Sequence, residues 1–230
     1  MDTLKLPDGT APVIYFVDLD GTLLSTSSEK YFLKHLVNRG ILSPSRFMIF
    51  LLHYILHPVR TIREGKGWNR SYLSGIPTET VMREAEICAK ELLKSNIRSW
   101  TLQSIHELKA AGCRIVLLSA SLEYIVNGIA KELPVDEICA SEPLMVNNRF
   151  TGELAGIRPW GKNKMKLAVD ICTRYDTELD RCAAAGDSWA DRFIMEKSGC
   201  SFAVCPDRKL NKLAARKNWP AVKGRHTRWA

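Results

Sequence analysis

The 230-residue chain contains no CxxC pair, although it holds seven cysteines, at 88, 113, 139, 172, 182, 200 and 205. An odd number set mostly in apolar runs, as in Ala-Gly-Cys113-Arg-Ile-Val, excludes a disulfide framework and a zinc site, and fits reduced cysteine in a cytosolic protein. No basic segment followed by an apolar one opens the chain, so no secretory signal is expected. Its longest strongly apolar stretch, Phe47 to His57, falls short of the ~20 residues a helix needs to cross a bilayer. Acidic residues are missing from 208 to 230, where Arg208, Lys209, Lys212, Arg216, Lys217, Lys223, Arg225 and Arg228 stand. Since the net charge is +8, this stretch accounts for all of it and the remainder is formally neutral. The plain reading is a solvated helix and tail; contact with an anionic surface is the alternative. Nucleic acid is not an expected partner, because no recognised binding motif accompanies the charge. Internal repeats and low-complexity segments are also absent.

With 46% hydrophobic residues, the chain can bury one good core and carry an insertion. Val13 to Val17 is a continuous apolar run, as expected of a central parallel strand buried on both faces. Arg114 to Ser119, Cys182 to Asp187 and Ser201 to Val204 repeat the pattern. Helical segments lie between them at Ser99 to Ala111, Leu122 to Leu133, Lys162 to Arg174 and Asp191 to Ser198. This alternation predicts an α/β fold with a doubly wound, Rossmann-like parallel sheet, whose ligands sit outside the carboxyl ends of the strands. Residues 26–97 interrupt it with helical patterns alone. Ser43-Pro44 opens one helix that Pro58 stops, and Thr78 caps another running to about Lys94. The expected division is a core of residues 11–25 and 98–230 with a helical cap, 26–97, inserted after the first strand. Asn147-Asn148 between two apolar arms predicts a hairpin.

Asp18-x-Asp20-Gly21-Thr22 puts two carboxylates at a strand end, with glycine where the chain turns. A calcium loop is excluded, because the glycine follows the second acid directly and no third ligand is spaced for it. Gly186-Asp187-Ser188-Trp189-Ala190-Asp191 brings two more acids to another strand end. Four converging carboxylates repel unless a hard divalent cation neutralises them, which points to magnesium. Ser119, followed by Ala120 and Ser121, offers a hydroxyl and backbone amides opening a helix, a phosphate seat or a simple cap. Lys164, with Lys162 as its rival, is placed to neutralise phosphate and carboxylate together.

In order along the chain, Asp18-x-Asp20-Gly21-Thr22, Ser119, Lys164 and Gly186-Asp187-Ser188-x-x-Asp191 resemble the haloacid dehalogenase-like superfamily, across essentially the whole sequence. Leu117-Leu-Ser-Ala-Ser, Asn148-Arg-Phe-Thr-Gly-Glu-Leu-Ala-Gly and Gly161-x-x-Lys164 resemble its phosphoserine phosphatase-like branch, subfamily IB. The resemblance implies a phosphatase in which Asp18 attacks phosphorus and Asp20 is acid and then base. It assigns Thr22, Ser119, Ala120 and Lys164 to the phosphoryl group. It assigns Mg2+ to Asp18, to the Asp20 carbonyl and to Asp187, with Asp191 as ligand or support. A phosphotransferase differs only in the acceptor, and a catalytically silent binding protein is the non-enzyme alternative.

Substrate choice lies in the helical insertion. The Gly-Gly pair of phosphoserine-specific relatives is replaced by Ala120 and Ser121, Glu29 stands later than their acid, and Arg70 is a candidate partner for a carboxylate. Phe47 to His57 is apolar nearly all round and flanked by Arg46, Arg60, Arg63 and Lys66. This helix is either the core of the cap or a membrane contact; the second reading makes a lipid phosphate the expected substrate, with phosphoserine or another small phosphorylated metabolite as the alternative. The expected location is cytoplasmic, with peripheral contact to the inner face of a membrane.

Overall fold

Ile14–Val17 forms β1, the middle strand of the protein's sheet. Its side chains alternate between two buried clusters, Tyr15 and Val17 in one and Ile14 and Phe16 in the other, so both faces are covered as the unbroken apolar run requires. This arrangement comes from a computed structural model, in which residues 4–64 and 68–222 are described.

The other strands are β2 (Arg114–Leu122), β3 (Glu137–Val146), β4 (Arg149–Ala155), β5 (Ala183–Gly186), β6 (Cys200–Val204) and β7 (Ala221–Val222). They lie in the order β4-β3-β2-β1-β5-β6-β7, and every pairing is parallel except β3 with β4. Strands are added to one side of β1 and later to the other, so the winding reverses at β1.

One face carries α1 (Ser28–Asn38), α4 (Thr78–Asn96), α5 (Ser99–Ala110) and α6 (Glu123–Ala130). Phe32, Ala85, Leu92, Ile105 and Ile125 from these helices join Tyr15 and Val17 in one continuous cluster. The opposite face carries α7 (Lys162–Arg174), α8 (Arg192–Met195) and α9 (Arg208–Lys217), through Ile171, Ile194 and Leu210. The basic stretch thus begins as α9, capped by the Asp207 carboxylate on the Lys209 and Leu210 amides. Lys66, Lys223, Arg225 and Arg228 lie outside the described residues.

Among the described residues between β1 and α5 the regular elements are helical. Where the chain leaves and re-enters, Ser25 N donates to Asn96 O and Arg98 N to Leu23 O, both at 2.8 Å. Ser43 caps α2 (Pro44–Leu56) by accepting from Arg46 N, and Pro58 begins α3 (Pro58–Glu64). α2 buries no residue, and Ile55, Val59 and Ile62 are 73%, 75% and 86% exposed. Its inner edge rests on Tyr72 through the Phe50 ring, 5.3 Å between centroids, and the Asn69 amide donates to Phe50 O.

Several boundaries differ from the sequence reading. Pro77 occupies the cap of α4 and Thr78 is its first residue. β2 runs on past Ser119 to Leu122, so Ala120 and Ser121 lie in extended chain and α6 begins only at Glu123. The Asp191 region is a 3-10 turn (Trp189–Asp191) leading into the short α8. Asn147 and Asn148 have φ of 50° and 57°, the conformation a tight two-residue hairpin turn demands.

Candidate active site

Asp18 follows β1 directly, Asp187 follows β5 and Ser119 lies in β2, so neighbouring strand ends deliver them to one cleft. That cleft, about 190 Å³, is walled by Asp18, Asp20, Ser119, Ala120, Ser121, Trp160, Lys164, Asp187, Ser188, Ala190 and Asp191. Gly21 makes the closure possible. It has φ +86°, and a Cβ there would sit 2.1 Å from Asp187 Oδ2.

Lys164, in the first turn of α7, is 4% exposed; its ammonium donates to Asp18 Oδ1 at 2.5 Å and to Asp191 Oδ1 at 2.6 Å. Burial alone would lower its pKa, but the two carboxylates outweigh that and raise it. Lys162 is exposed and lies over the Phe193 ring instead. Asp191 is further fixed by Ser188, whose amide and hydroxyl both donate to Oδ2. Thr22 Oγ1 donates to Asp18 Oδ2 at 3.4 Å.

Asp18, Asp187 and Asp191 can each offer an oxygen within 4.8 Å of the others. Burial raises the pKa of Asp18, Lys164 opposes it, and Asp191 and Asp187 push it further up. Asp187 is pushed up to about 7, by burial and then by Asp191. Three crowded oxygen donors with one lysine among them suit a hard divalent cation such as magnesium. The Asp20 carboxylate lies outside this trio. It accepts from Ser28 N at 2.9 Å and from Ser121 Oγ at 2.8 Å, so any part Asp20 plays in holding a cation falls to its backbone carbonyl.

Ser28 and Ser121 therefore orient Asp20; the sequence marks Ser121 only for its backbone amide, and Ser28 not at all. Ser28 Oγ also donates to Ser121 Oγ at 3.0 Å, linking the start of α1 to β2. Neither hydroxyl carries a signal of its own in the sequence; the contact exists because α1 folds back over the strand ends. Ser119 Oγ accepts from Ser121 N at 3.1 Å, and the helix-opening amides expected at Ala120 and Ser121 are replaced by this local turn. Glu29 and Arg70, considered separately from the sequence, pair with each other at 2.7 Å.

A second space of about 1000 Å³ shares Trp160, Ser188 and Ala190 with the cleft and extends to Arg60 of α3 and to Trp68. Trp160, in the loop before α7, is the lip between the two and is 45% exposed.

Named proteins are similar to this chain over most of its length. A probable phosphatase of Mycobacterium tuberculosis is 28% identical over 95% of this chain and 78% of its own length. A protein of Streptomyces azureus named for inhibition of morphological differentiation is 27% identical over 90% and 76%. A phosphoserine phosphatase solved in its apo form superposes with a TM-score of 0.63, 18% identical, covering 91% of this chain and 99% of that one, a likeness of fold. Residues 15–196 match the family model for haloacid dehalogenase-like hydrolases, and the chain belongs to that family.

Proposed function

We propose that this hydrolase is a magnesium-dependent phosphatase that passes the phosphoryl group through Asp18, and that its substrate is a phosphomonoester presented at a lipid surface. It is a phosphatase of the haloacid dehalogenase type. The observation that carries the mechanism is the buried contact of Lys164 with both Asp18 and Asp191, beside Asp187.

In the first step an Asp18 carboxylate oxygen bonds to phosphorus as the ester P–O bond breaks. Asp20, steadied by Ser28 and Ser121, gives its proton to the departing oxygen. In the second, Asp20 takes a proton from a water that attacks phosphorus, freeing phosphate and restoring Asp18. Lys164, with Thr22, Ser119 and Ala120 around the strand ends, holds the phosphoryl oxygens throughout. Magnesium, held by Asp18, the Asp20 carbonyl, Asp187 and Asp191, would supply neutralisation of the charge gathered on those oxygens. Residues 26–97 act as a cap over a core of 11–25 and 98–230, a division supported by the hydrogen-bonded exit and return at Ser25–Asn96 and Leu23–Arg98.

The lipid reading is supported by the exposed apolar side chains of α2 and α3, and by Arg60 of α3 lining the space that adjoins the cleft. A docked α2–α3 pair would set the mouth of that space beside the bilayer.

Purified protein is assayed with p-nitrophenyl phosphate, phosphoserine and lysophosphatidate in vesicles, with magnesium or excess chelator, alongside vesicle flotation. The expected result is turnover abolished by chelator, flotation with anionic vesicles, and kcat/KM for the lipid above that for phosphoserine. Full activity in chelator would overturn the metal reading. Absent flotation together with a preference for phosphoserine would overturn the lipid one.

A further inference from the structure

The larger space beside the cleft has an unusual wall. Among the described residues lining it are four cations, Arg60, Arg158, Lys162 and Arg192, against one carboxylate, Asp207. That carboxylate is engaged elsewhere, accepting from the Trp189, Lys209 and Leu210 amides.

The cations are held against rings. The Arg192 guanidinium lies 3.7 Å from the Phe193 centroid and 4.2 Å from that of Trp189, and Nη1 donates to Trp189 O at 2.6 Å. Lys162 Nζ lies 5.7 Å from the same Phe193 ring. Arg60 sits 4.3 Å from the Trp68 centroid, with its fork on Glu153. A guanidinium fixed by a ring and a carbonyl has lost its rotamer freedom before any ligand arrives, and its remaining N–H edge is suited to a planar pair of oxygens. Nothing in the dephosphorylation steps uses these groups.

We propose that this groove, centred on Arg192 and Lys162, is a subsite for a second phosphate carried by the leaving group, separated by several bonds from the phosphate that is removed. The inference rests on the reading of the adjoining cleft as the phosphoryl site. Free phosphoserine, whose other charges lie next to its ester, cannot reach across Trp160 into the groove. A phosphodiester in a lipid headgroup and a soluble bisphosphate share the chemistry recognised here.

The test uses hexane-1,6-diol monophosphate and hexane-1,6-diol bisphosphate, a pair differing in the second phosphate. Calorimetry with magnesium on the Asp18→Asn protein measures binding without turnover. The bisphosphate is expected to bind at least tenfold more tightly, and Arg192→Gln or Lys162→Gln, each added to that background, should remove most of the preference. Lys162 is exposed, so its variant keeps the test decisive if Arg192→Gln unfolds. Equal affinity for the two esters would overturn the proposal, as would a preference that survives both substitutions. A preference seen only when the diester is carried by a lipid in vesicles would also overturn it, since the carrier would then be the recognised part. If wild-type protein hydrolyses neither ester while the binding preference stands, the subsite is upheld and the reaction assigned to Asp18 falls.

Discussion

At the carboxyl ends of β1, β2 and β5 five charged side chains line one small cleft, while along α2 and α3 nine large apolar side chains face solvent. Both regions reverse the partition that stability alone selects. They differ in how the reversal is balanced. In the cleft, Lys164 joins Asp18 to Asp191, Ser188 holds Asp191, and Ser28 and Ser121 hold Asp20, so compensation is written into the chain itself. Full burial of such a side chain is worth about 1.5–3 kcal/mol, and on α2 and α3 each exposed one forgoes a share of that with no cover from the described residues. The cleft carries its own compensation among the described residues; the α2–α3 face carries none among them.

The sharpest way to break this contrast is at the nucleophile. Asp18→Asn nearly keeps the shape but removes the attacking carboxylate and one of its two acceptors, which face Lys164 and Thr22. Turnover of p-nitrophenyl phosphate should fall by about 10³-fold or more, with an unchanged circular dichroism spectrum. A rate within tenfold of the parent would remove Asp18 from the mechanism.

Next is the compensation itself. Lys164→Met leaves Asp18 and Asp191 facing each other in a buried cleft, and urea unfolding should show a loss of about 3–5 kcal/mol. Magnesium should restore part of it by replacing the missing positive charge. A variant as stable as the parent without magnesium would show that the cleft is not balanced by Lys164.

The exposed helices should behave in the opposite sense. Ile55→Glu with Val59→Glu should alter unfolding stability by no more than about 0.5 kcal/mol per site, because neither side chain is buried. The same pair should weaken vesicle binding by about a hundredfold, the equivalent of two lost apolar side chains. A large loss of stability would mean that α2 and α3 are covered within the protein itself.

The smallest effect concerns a buried charge away from the cleft. Burial acts to raise the pKa of Glu84 in α4, but hydrogen bonds from His35 and Arg39 outweigh it and hold the value below the ordinary 4.5. A depressed carboxylate contributes stability above its unfolded pKa and loses it as pH falls through the folded value. The melting temperature should therefore drop below about pH 4.5, and Glu84→Gln should flatten that drop while activity at neutral pH is retained. Identical pH profiles would show that Glu84 carries no such linkage.

What the sequence disclosed was local. Asp18 and Asp187 stand out because each ends an unbroken apolar run, the limits of α7 follow from Gly161 and its periodicity, and the asparagine pair announces its own turn. What it hid depends on distant partners. Only the second half of β3 was visible, as an arm of the asparagine hairpin; its first half, which pairs in parallel with β2 ahead of Pro143, escaped notice because it has little continuous burial. β7 has two residues and no pattern to read. The grip of Ser28 and Ser121 on Asp20 requires α1 to return over the strand ends, and the Glu29–Arg70 pair spans a stretch whose course no periodicity fixes. Lys164 and Lys162 are equivalent by spacing, and only the pitch of α7 turns one inward to Asp18 and the other towards Phe193.

The central position of β1 also has a consequence for how the protein is made. Ile14 pairs with Arg114 and Tyr15 with Ala183, so β1 leaves the ribosome long before the strands that border it on both sides. At about 5–20 residues per second, roughly 5–20 s pass before β2 emerges and longer before β5 does. Contacts this distant in sequence also slow the final collapse. During that interval a strand apolar on both faces has no sheet to join, and the α-helices synthesised meanwhile are α1 to α5. Phe32 of α1 and Leu92 of α4 belong to the same cluster as Tyr15 and Val17, so the insertion is the first partner available to shield the nascent strand from aggregation.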